Sequence, residues 1–194
     1  MSAALRTAGQ AWGETPSAGS PAGLNPALQT LRVSVGRQAG WMVRADPVGA
    51  ETGVSYWYSA DGALLRLAQG RLHGFTDGTR SWQVSRAWPA VDWQAVLRGQ
   101  QPALTVWVDQ QPGYRVAQRF ERQLQAVDQR PAAASTLVLP PEVRWFREFD
   151  PSGHSAPIWY AVDLREPVRV LYGETCLEPG WCLSWQVQPK AVQP

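Results

Sequence analysis

Short runs in which apolar and polar residues alternate are the feature that most constrains the fold of this 194-residue chain. In the first such run, Leu31, Val33 and Val35 alternate with Arg32 and Ser34. A β-strand places successive side chains on opposite faces of a sheet, so a period of two predicts a strand. Turn sequences separate these runs about every eight to twelve residues. The pattern therefore predicts a mostly-β fold, an antiparallel meander or barrel-like sandwich of about ten short strands with one or two short helices.

The turn sequences indicate which runs pair as hairpins. Asp61-Gly62 lies between two β-rich runs, and Asp-Gly is a strong hairpin signal. The run 114–127 has a helix-compatible composition, but it follows a turn, so we predict a strand there. The spacing of apolar residues over 89–97 predicts a short helix that ends before Gly99. We predict strands at 31–35, 41–43, 54–59, 64–68, 71–75, 104–108, 114–127, 135–139, 143–149, 158–162, 167–172 and 181–187.

These elements suggest three segments along the chain. Residues 1–30 are predicted to form an N-terminal helix and a linker, and residues 31–130 a first β unit with a short helix near 89–98. Residues 131–194 are predicted to form a second β unit packed on the first. The two units echo each other around Trp57 and Trp159, each flanked by apolar or aromatic residues and followed by a turn. A duplicated unit would explain the echo, and so would convergence of hairpin chemistry.

Tryptophan is in excess, with eleven residues in the chain. Its large ring can build a sheet core, or it can stack on the apolar faces of sugars. We predict core or sheet-face positions for the tryptophans that fall within predicted strands: Trp41, Trp57, Trp107, Trp145, Trp159 and Trp185. The others fall near helices, loops or turns: Trp12, Trp82, Trp88, Trp93 and Trp181. Of these, Trp82, Trp88 and Trp93 surround the predicted loop and helix and are the candidates for a saccharide or partner surface.

The two cysteines, Cys176 and Cys182, flank the turn sequence Pro179-Gly180. They could face each other across a hairpin and form a disulfide, which requires an oxidising compartment. Two unpaired thiols are the alternative, and the sequence does not separate the two. A zinc site is a poor explanation, since two thiolates with no nearby histidine or third cysteine do not complete one.

The sequence specifies no catalytic site that we can identify. Its two histidines, His73 and His154, share no spacing typical of joint metal ligation. Glu142, Glu148 and Asp150 lie among arginines, a pattern typical of a solvated charged strand face. The net charge of +2 is too small to indicate a nucleic-acid surface. We therefore expect no enzymatic activity, no cofactor, no metal and no nucleic-acid partner.

Three stretches resemble the GfcB/YjbF family, the group-four capsule polysaccharide lipoproteins of Gram-negative bacteria. The first is the run from Trp57 to Leu65 (WYSADGALL) followed by Gly-Arg-Leu at 70–72, which is similar to a family Trp-x-Ser-x-Asp segment. The second is LRVSVG at 31–36, before an apolar strand. The third is the C-terminal order of Trp159-Tyr160, Asp163, Val168-Arg169, a turn and a last strand ending near Pro189. Together they span most of the chain in order.

This resemblance implies a periplasmic protein attached to the outer membrane through a lipidated cysteine, which we expect upstream of the sequence given. It implies a non-catalytic accessory to capsule or exopolysaccharide secretion, with other secretion proteins or the polysaccharide as partners. Two alternatives stay open. One is a carbohydrate-binding module that uses exposed tryptophan, and the other is a polysaccharide-modifying enzyme built on Glu142, Glu148 or Asp150.

Overall fold

The chain forms one closed antiparallel ring of strands. The structure, a computed structural model, describes residues 28–86, 90–135 and 137–187. Within that part of the chain every strand pairs with the next one in sequence, and the last strand pairs with the first. The strands are β1 (Thr30–Val35), β2 (Gln38–Arg44), β3 (Val54–Tyr58), β4 (Leu64–Ala68), β5 (Arg71–Thr76), β6 (Ser81–Val84), β7 (Ala103–Gln111), β8 (Arg115–Val127), β9 (Arg144–Phe149), β10 (Ile158–Asp163), β11 (Arg169–Glu178) and β12 (Trp181–Val187).

The predicted mostly-β, antiparallel, barrel-like fold is confirmed. Asp61-Gly62 does turn the chain between β3 and β4, with Gly62 at a φ of 88°, a left-handed conformation that glycine adopts without strain. The ambiguous run 114–127 is a strand, β8, which pairs with β7 along most of its length. The seam that closes the ring joins β1 to β12, where Leu31 lies opposite Val187. Every strand therefore has a hydrogen-bonded neighbour on both sides, although β2 and β3 pair only through Val43–Tyr58 and Arg44–Trp57.

Two of the predicted elements were placed wrongly. The described residues among 135–139 form no strand: Ala132–Ala134 make a 3-10 turn, and Leu137 and Leu139 pack by their side chains on the outside of the ring. The strand pairing explains this, because β8 pairs directly with β9 and leaves no place for another strand between them. Conversely, Ser81–Val84 forms a strand, β6, where the sequence suggested a loop.

The two rims of the ring differ. Connections at one rim are short turns, such as residues 36–37 and 179–180. Three long connections, 45–53, 85–102 and 128–143, lie at the other rim. We call this second edge the long-loop rim. It carries the one helix of the described residues, α1 (Trp93–Leu97), which is shorter than the predicted helix near 89–98. Asp92 begins α1 by accepting a hydrogen bond from the Ala95 backbone N–H at 3.0 Å.

The core fills the inside of the ring. Side chains from alternate strand positions, including Leu31, Leu65, Val106 and Leu124, are buried there. Trp93 of α1 reaches the same core from the long-loop rim, with its ring 4.9 Å from that of Phe146. The inside is therefore a packed core closed at one rim by a helix. A smaller apolar cluster lies on the outside, where residues of the 128–143 connection cover Ala161 and Tyr172.

The division into three segments stays a prediction. The N-terminal helix falls on residues outside the described part of the chain. Around the proposed boundary at residue 130, the sheet continues without a break, because Val127 at the end of β8 lies opposite Trp145 in β9. Trp57 and Trp159, the centres of the sequence echo, occupy different surroundings. Trp57 is buried in the core and Trp159 is half-buried on the outer face.

Candidate functional site

Two of the three candidate surface tryptophans lie in the core and do not form an exposed surface. Trp82 is 6% exposed, because β6 runs between β5 and β7 and its alternation turns Trp82 and Val84 inward. Trp93 is also 6% exposed and packs against Phe146 and Tyr160. Trp88 lies outside the described residues. The expectation that Trp82 and Trp93 offer flat rings to a sugar is therefore corrected, since both rings are already covered by protein.

The half-buried tryptophans are instead found on the outer face of the ring. Trp41, Trp107, Trp145 and Trp159 occupy strand positions opposite to those that fill the core. Trp145 is covered by the 128–143 connection. Trp159 borders an open groove.

This groove lies where the end of β8 meets the middle of β9 and the start of β10. It has a volume of about 350 Å³ and is lined by Val127, Asp128, Gln129, Arg147 and Trp159. Antiparallel pairing of β9 with β10 places Arg147 directly opposite Trp159 on the outer face. One aromatic ring, one cation, one carboxylate and one amide thus meet around a single open space.

Arg147 is held in the groove by two aromatic rings. Its guanidinium carbon lies 5.7 Å from the ring centroid of Trp159 and 5.1 Å from that of Phe149. Such contacts orient a guanidinium without using its N–H donors. The buried Nε of Arg147 has no hydrogen-bond partner among the described residues. A buried donor without a partner is uncommon in proteins.

A carboxyl group with a raised pKa lies on the other side of Trp159. Glu174 of β11 is opposite Trp159 in the register, and the Tyr172 hydroxyl donates a hydrogen bond to its Oε2. Partial burial raises the pKa of Glu174, and the hydrogen bond from Tyr172 only partly offsets this. The row Arg147, Trp159 and Glu174 therefore crosses three adjacent strands on one face.

A second polar cluster lies inside the ring, around Glu148. The carboxylate of Glu148 is 0% exposed and accepts a hydrogen bond at 2.8 Å from the Arg71 guanidinium, which is 1% exposed. The Tyr160 hydroxyl donates to the same oxygen at 3.2 Å. Burial and the neighbouring Glu148 raise the pKa of Tyr160, which keeps its hydroxyl protonated and able to donate. Arg122 lies 3.8 Å from the other carboxylate oxygen.

The three acidic residues of the enzyme hypothesis do not share a site. Glu148 is inside the core, while Glu142 is 53% exposed and lies 4.0 Å from Arg165. Asp150 holds the turn after β9, accepting backbone hydrogen bonds from Ser152 and His154. Burial alone would raise the pKa of Asp150, but a hydrogen bond from the Ser152 hydroxyl and these two backbone hydrogen bonds outweigh it and lower the pKa. Glu148 and Asp150 act here as structural acceptors, and the expectation of a solvated charged face is wrong for both.

The same turn contains a serine and a histidine, but not in a catalytic arrangement. The Ser152 hydroxyl lies 2.7 Å from Nδ1 of His154, and it donates to Asp150. In a serine-hydrolase triad the carboxylate orients the imidazole. Here Asp150 contacts the serine and the backbone instead. The hydrogen bonds therefore fix the turn and leave the histidine without a carboxylate to orient it.

His73 is buried near the long loop between β2 and β3. Its Nε2 lies 3.3 Å from a carboxylate oxygen of Glu51. Burial lowers the pKa of His73, although Glu51 opposes this shift. His73 therefore ties the loop to the ring. Among the described residues, no group of three or more histidine, cysteine, aspartate or glutamate side chains could hold a metal ion.

Cys176 and Cys182 are joined by a disulfide in the structure. They lie opposite each other in the β11–β12 hairpin. The turn that sequence reasoning recognised at Pro179-Gly180 is what brings them together. In the described part of the chain, no helix combines the length and the apolar character needed to cross a membrane.

The groove residues were missed because the sequence analysis assigned them separately. Arg147 was grouped with the charged strand face and Trp159 with the core or sheet face. The signal was present in the predicted strands 143–149 and 158–162, which form a natural antiparallel pair and place these two residues side by side. Asp128 carried no signal, because its position follows from where β8 ends.

Comparison with known proteins adds information on the fold. No protein-family model matches the chain. No curated protein is similar to it in sequence. The crystal structure of the hypothetical lipoprotein YmcC from Escherichia coli K12 is similar in fold, with a TM-score of 0.56 and 14% sequence identity, and the match covers 86% of each chain. At this identity the likeness shows a shared fold.

Proposed function

We propose that the protein is a non-catalytic accessory to capsule or exopolysaccharide secretion, located in the periplasm and attached to the outer membrane by a lipid anchor. The observation that carries this proposal is the fold shared with a hypothetical lipoprotein over 86% of each chain. The three sequence stretches that resemble the GfcB/YjbF family support the same function independently. A disulfide suits this compartment, because the periplasm is oxidising.

The acidic residues support a non-catalytic role. A glycosidase needs two carboxyl groups on either side of the bond that it cleaves. Glu148 is enclosed in the core by Arg71 and Tyr160, and Asp150 is bound to its own turn. Neither can act on a polymer without breaking these hydrogen bonds.

Carbohydrate binding is the second candidate function, and the groove beside Trp159 favours it. The groove combines an aromatic ring with hydrogen-bonding side chains, as saccharide sites require. The two functions are compatible, since an accessory to secretion could act by holding the polymer.

Deletion of the gene in the host bacterium tests the proposed function. We expect less polysaccharide at the cell surface, with normal growth and normal amounts of the cytoplasmic sugar precursors. Complementation with the full gene should restore export. Unchanged surface polysaccharide in the deletion strain would contradict the proposal.

A separate assay tests the absence of catalysis. Purified protein is incubated with the exported polysaccharide, and the chain length and substituents of the polymer are measured by size-exclusion chromatography and NMR. We expect no change. A change that disappears in the Glu142→Gln, Glu148→Gln or Asp150→Asn variant, at unaltered folding, would establish an enzyme instead.

A further inference from the structure

We propose that the groove formed by Val127, Asp128, Gln129, Arg147 and Trp159 binds a uronic acid unit of an acidic polysaccharide. This inference rests on the proposed function, because it names the class of ligand that such an accessory would hold.

The stacking surface is the ring of Trp159. It is half-buried on the outer face, so its environment fixes the ring while part of it stays open to the groove. A pyranose presents a flat patch of C–H groups, and an aromatic ring held in this way can pack against that patch. Trp145, one strand away, does not offer the same surface because the 128–143 connection covers it.

The cation is Arg147, and it selects for a carboxylate. The guanidinium lies against the rings of Trp159 and Phe149. It has no carboxylate partner within 4.0 Å among the described residues, unlike Arg71, Arg165 and Arg169. A guanidinium matches the geometry of a carboxylate through two parallel hydrogen bonds, and the carboxylate of a uronic acid lies at the edge of the sugar ring.

The remaining polar groups suit the hydroxyls of the sugar. Asp128 is exposed at the end of β8 and can accept hydrogen bonds from hydroxyl groups. The amide of Gln129 can both donate and accept. Glu174 lies on the far side of Trp159 and is bound by Tyr172, so it does not compete for Arg147 through a direct ion pair. The groove therefore has a donor for the carboxylate and acceptors for the hydroxyls.

Binding of defined tetrasaccharides to the full chain tests the inference. The probes are tetragalacturonate, a mannuronate tetramer and a hyaluronan tetrasaccharide, with fully methyl-esterified tetragalacturonate as a neutral probe of the same shape. Isothermal titration calorimetry should show binding of at least one acidic probe. Methyl esterification should weaken the binding of tetragalacturonate at least tenfold if that probe binds. Absence of binding by all three acidic probes, or equal binding of the esterified form, would overturn the inference.

Matched variants locate the site. Arg147→Met removes the cation but keeps an unbranched apolar side chain, and Trp159→Leu removes the ring but keeps an apolar one. Each should weaken binding of the acidic probe at least tenfold. The control is Trp107→Leu, because Trp107 is also half-buried on the outer face and has an arginine, Arg86, 4.4 Å from its ring. This variant should bind within twofold of the wild type.

Circular dichroism and urea unfolding verify that each variant is folded, and Trp159→Met, which also lacks a ring, replaces Trp159→Leu if the latter is unfolded. Equal loss in the Trp107→Leu control would refute the location. The two proposals fail separately. A deletion strain with normal export refutes the accessory function, whereas loss of export without binding of any acidic probe refutes only the groove.

Discussion

The buried ion pair between Arg71 and Glu148 should make a large contribution to stability, and Glu148→Gln tests this. Both side chains are almost fully excluded from solvent and lie 2.8 Å apart. The substitution keeps the size of the side chain but removes the charge that faces two arginines and a tyrosine. Removing one partner of a buried pair costs about 3–5 kcal/mol, because the buried guanidinium loses the carboxylate that it faces. A domain is stable by only about 5–15 kcal/mol, so the loss is a large part of the total.

Urea unfolding followed by tryptophan fluorescence measures the effect, since the core contains several tryptophans. The matched control is Glu142→Gln, the same chemical change at a residue that is 53% exposed. We expect a change under about 0.5 kcal/mol there. Tyr160→Phe removes the hydroxyl that donates to the same carboxylate and should cost about 1.5–3 kcal/mol. If Glu148→Gln destabilises by less than about 1 kcal/mol relative to the control, the reasoning is refuted.

Three further predictions concern other parts of the ring. Gly173→Ala would place a Cβ 2.1 Å from the Trp185 ring, so we expect a loss of about 1–3 kcal/mol in urea unfolding, and a neutral result would mean that Trp185 can shift. Reducing the disulfide between Cys176 and Cys182 opens a loop of sequence separation 6 and should cost about 2.4 kcal/mol, measured by urea unfolding with and without reductant. Because burial lowers the pKa of His73, its contribution to stability is present above about pH 6.5 and is lost as the pH falls through the folded-state pKa. His73→Gln should flatten the pH dependence of the melting temperature in that range, and an unchanged profile would contradict the assignment.

The hairpins could be predicted from the sequence because their signals are local. Asp61-Gly62 and Pro179-Gly180 turn the chain within a few residues, and the flanking alternation then sets the register. Closure of the ring could not be predicted in this way. It depends on the pairing of Leu31 with Val187, and neither of the two strands that contain these residues has a sequence pattern that identifies the other strand as its partner.

The wrong predictions for Trp82 and Glu148 also arise because local sequence patterns do not show how distant strands pack together. Trp82 was placed in a loop because β6 is only four residues long, too short to show a clear alternation. Glu148 was assigned to a solvated face because its neighbours are arginines. Its burial follows from Arg71, which is 77 residues away in the sequence, and that contact forms only when the ring closes around both. Burial of charged residues is rare, so sequence reasoning has little basis to expect it.

The pairing of β1 with β12 also has a consequence for the order of the strands along the chain. Since each strand pairs with its two neighbours around the ring, no strand is first or last in the fold. The positions at which the chain enters and leaves the ring, Thr30 and Val187, lie on adjacent strands at the long-loop rim. Joining these positions and opening the chain at a short turn of the opposite rim, such as residues 36–37, would give the same ring from a circularly permuted sequence. The natural order of the strands along the chain is then one of several that are compatible with the same ring.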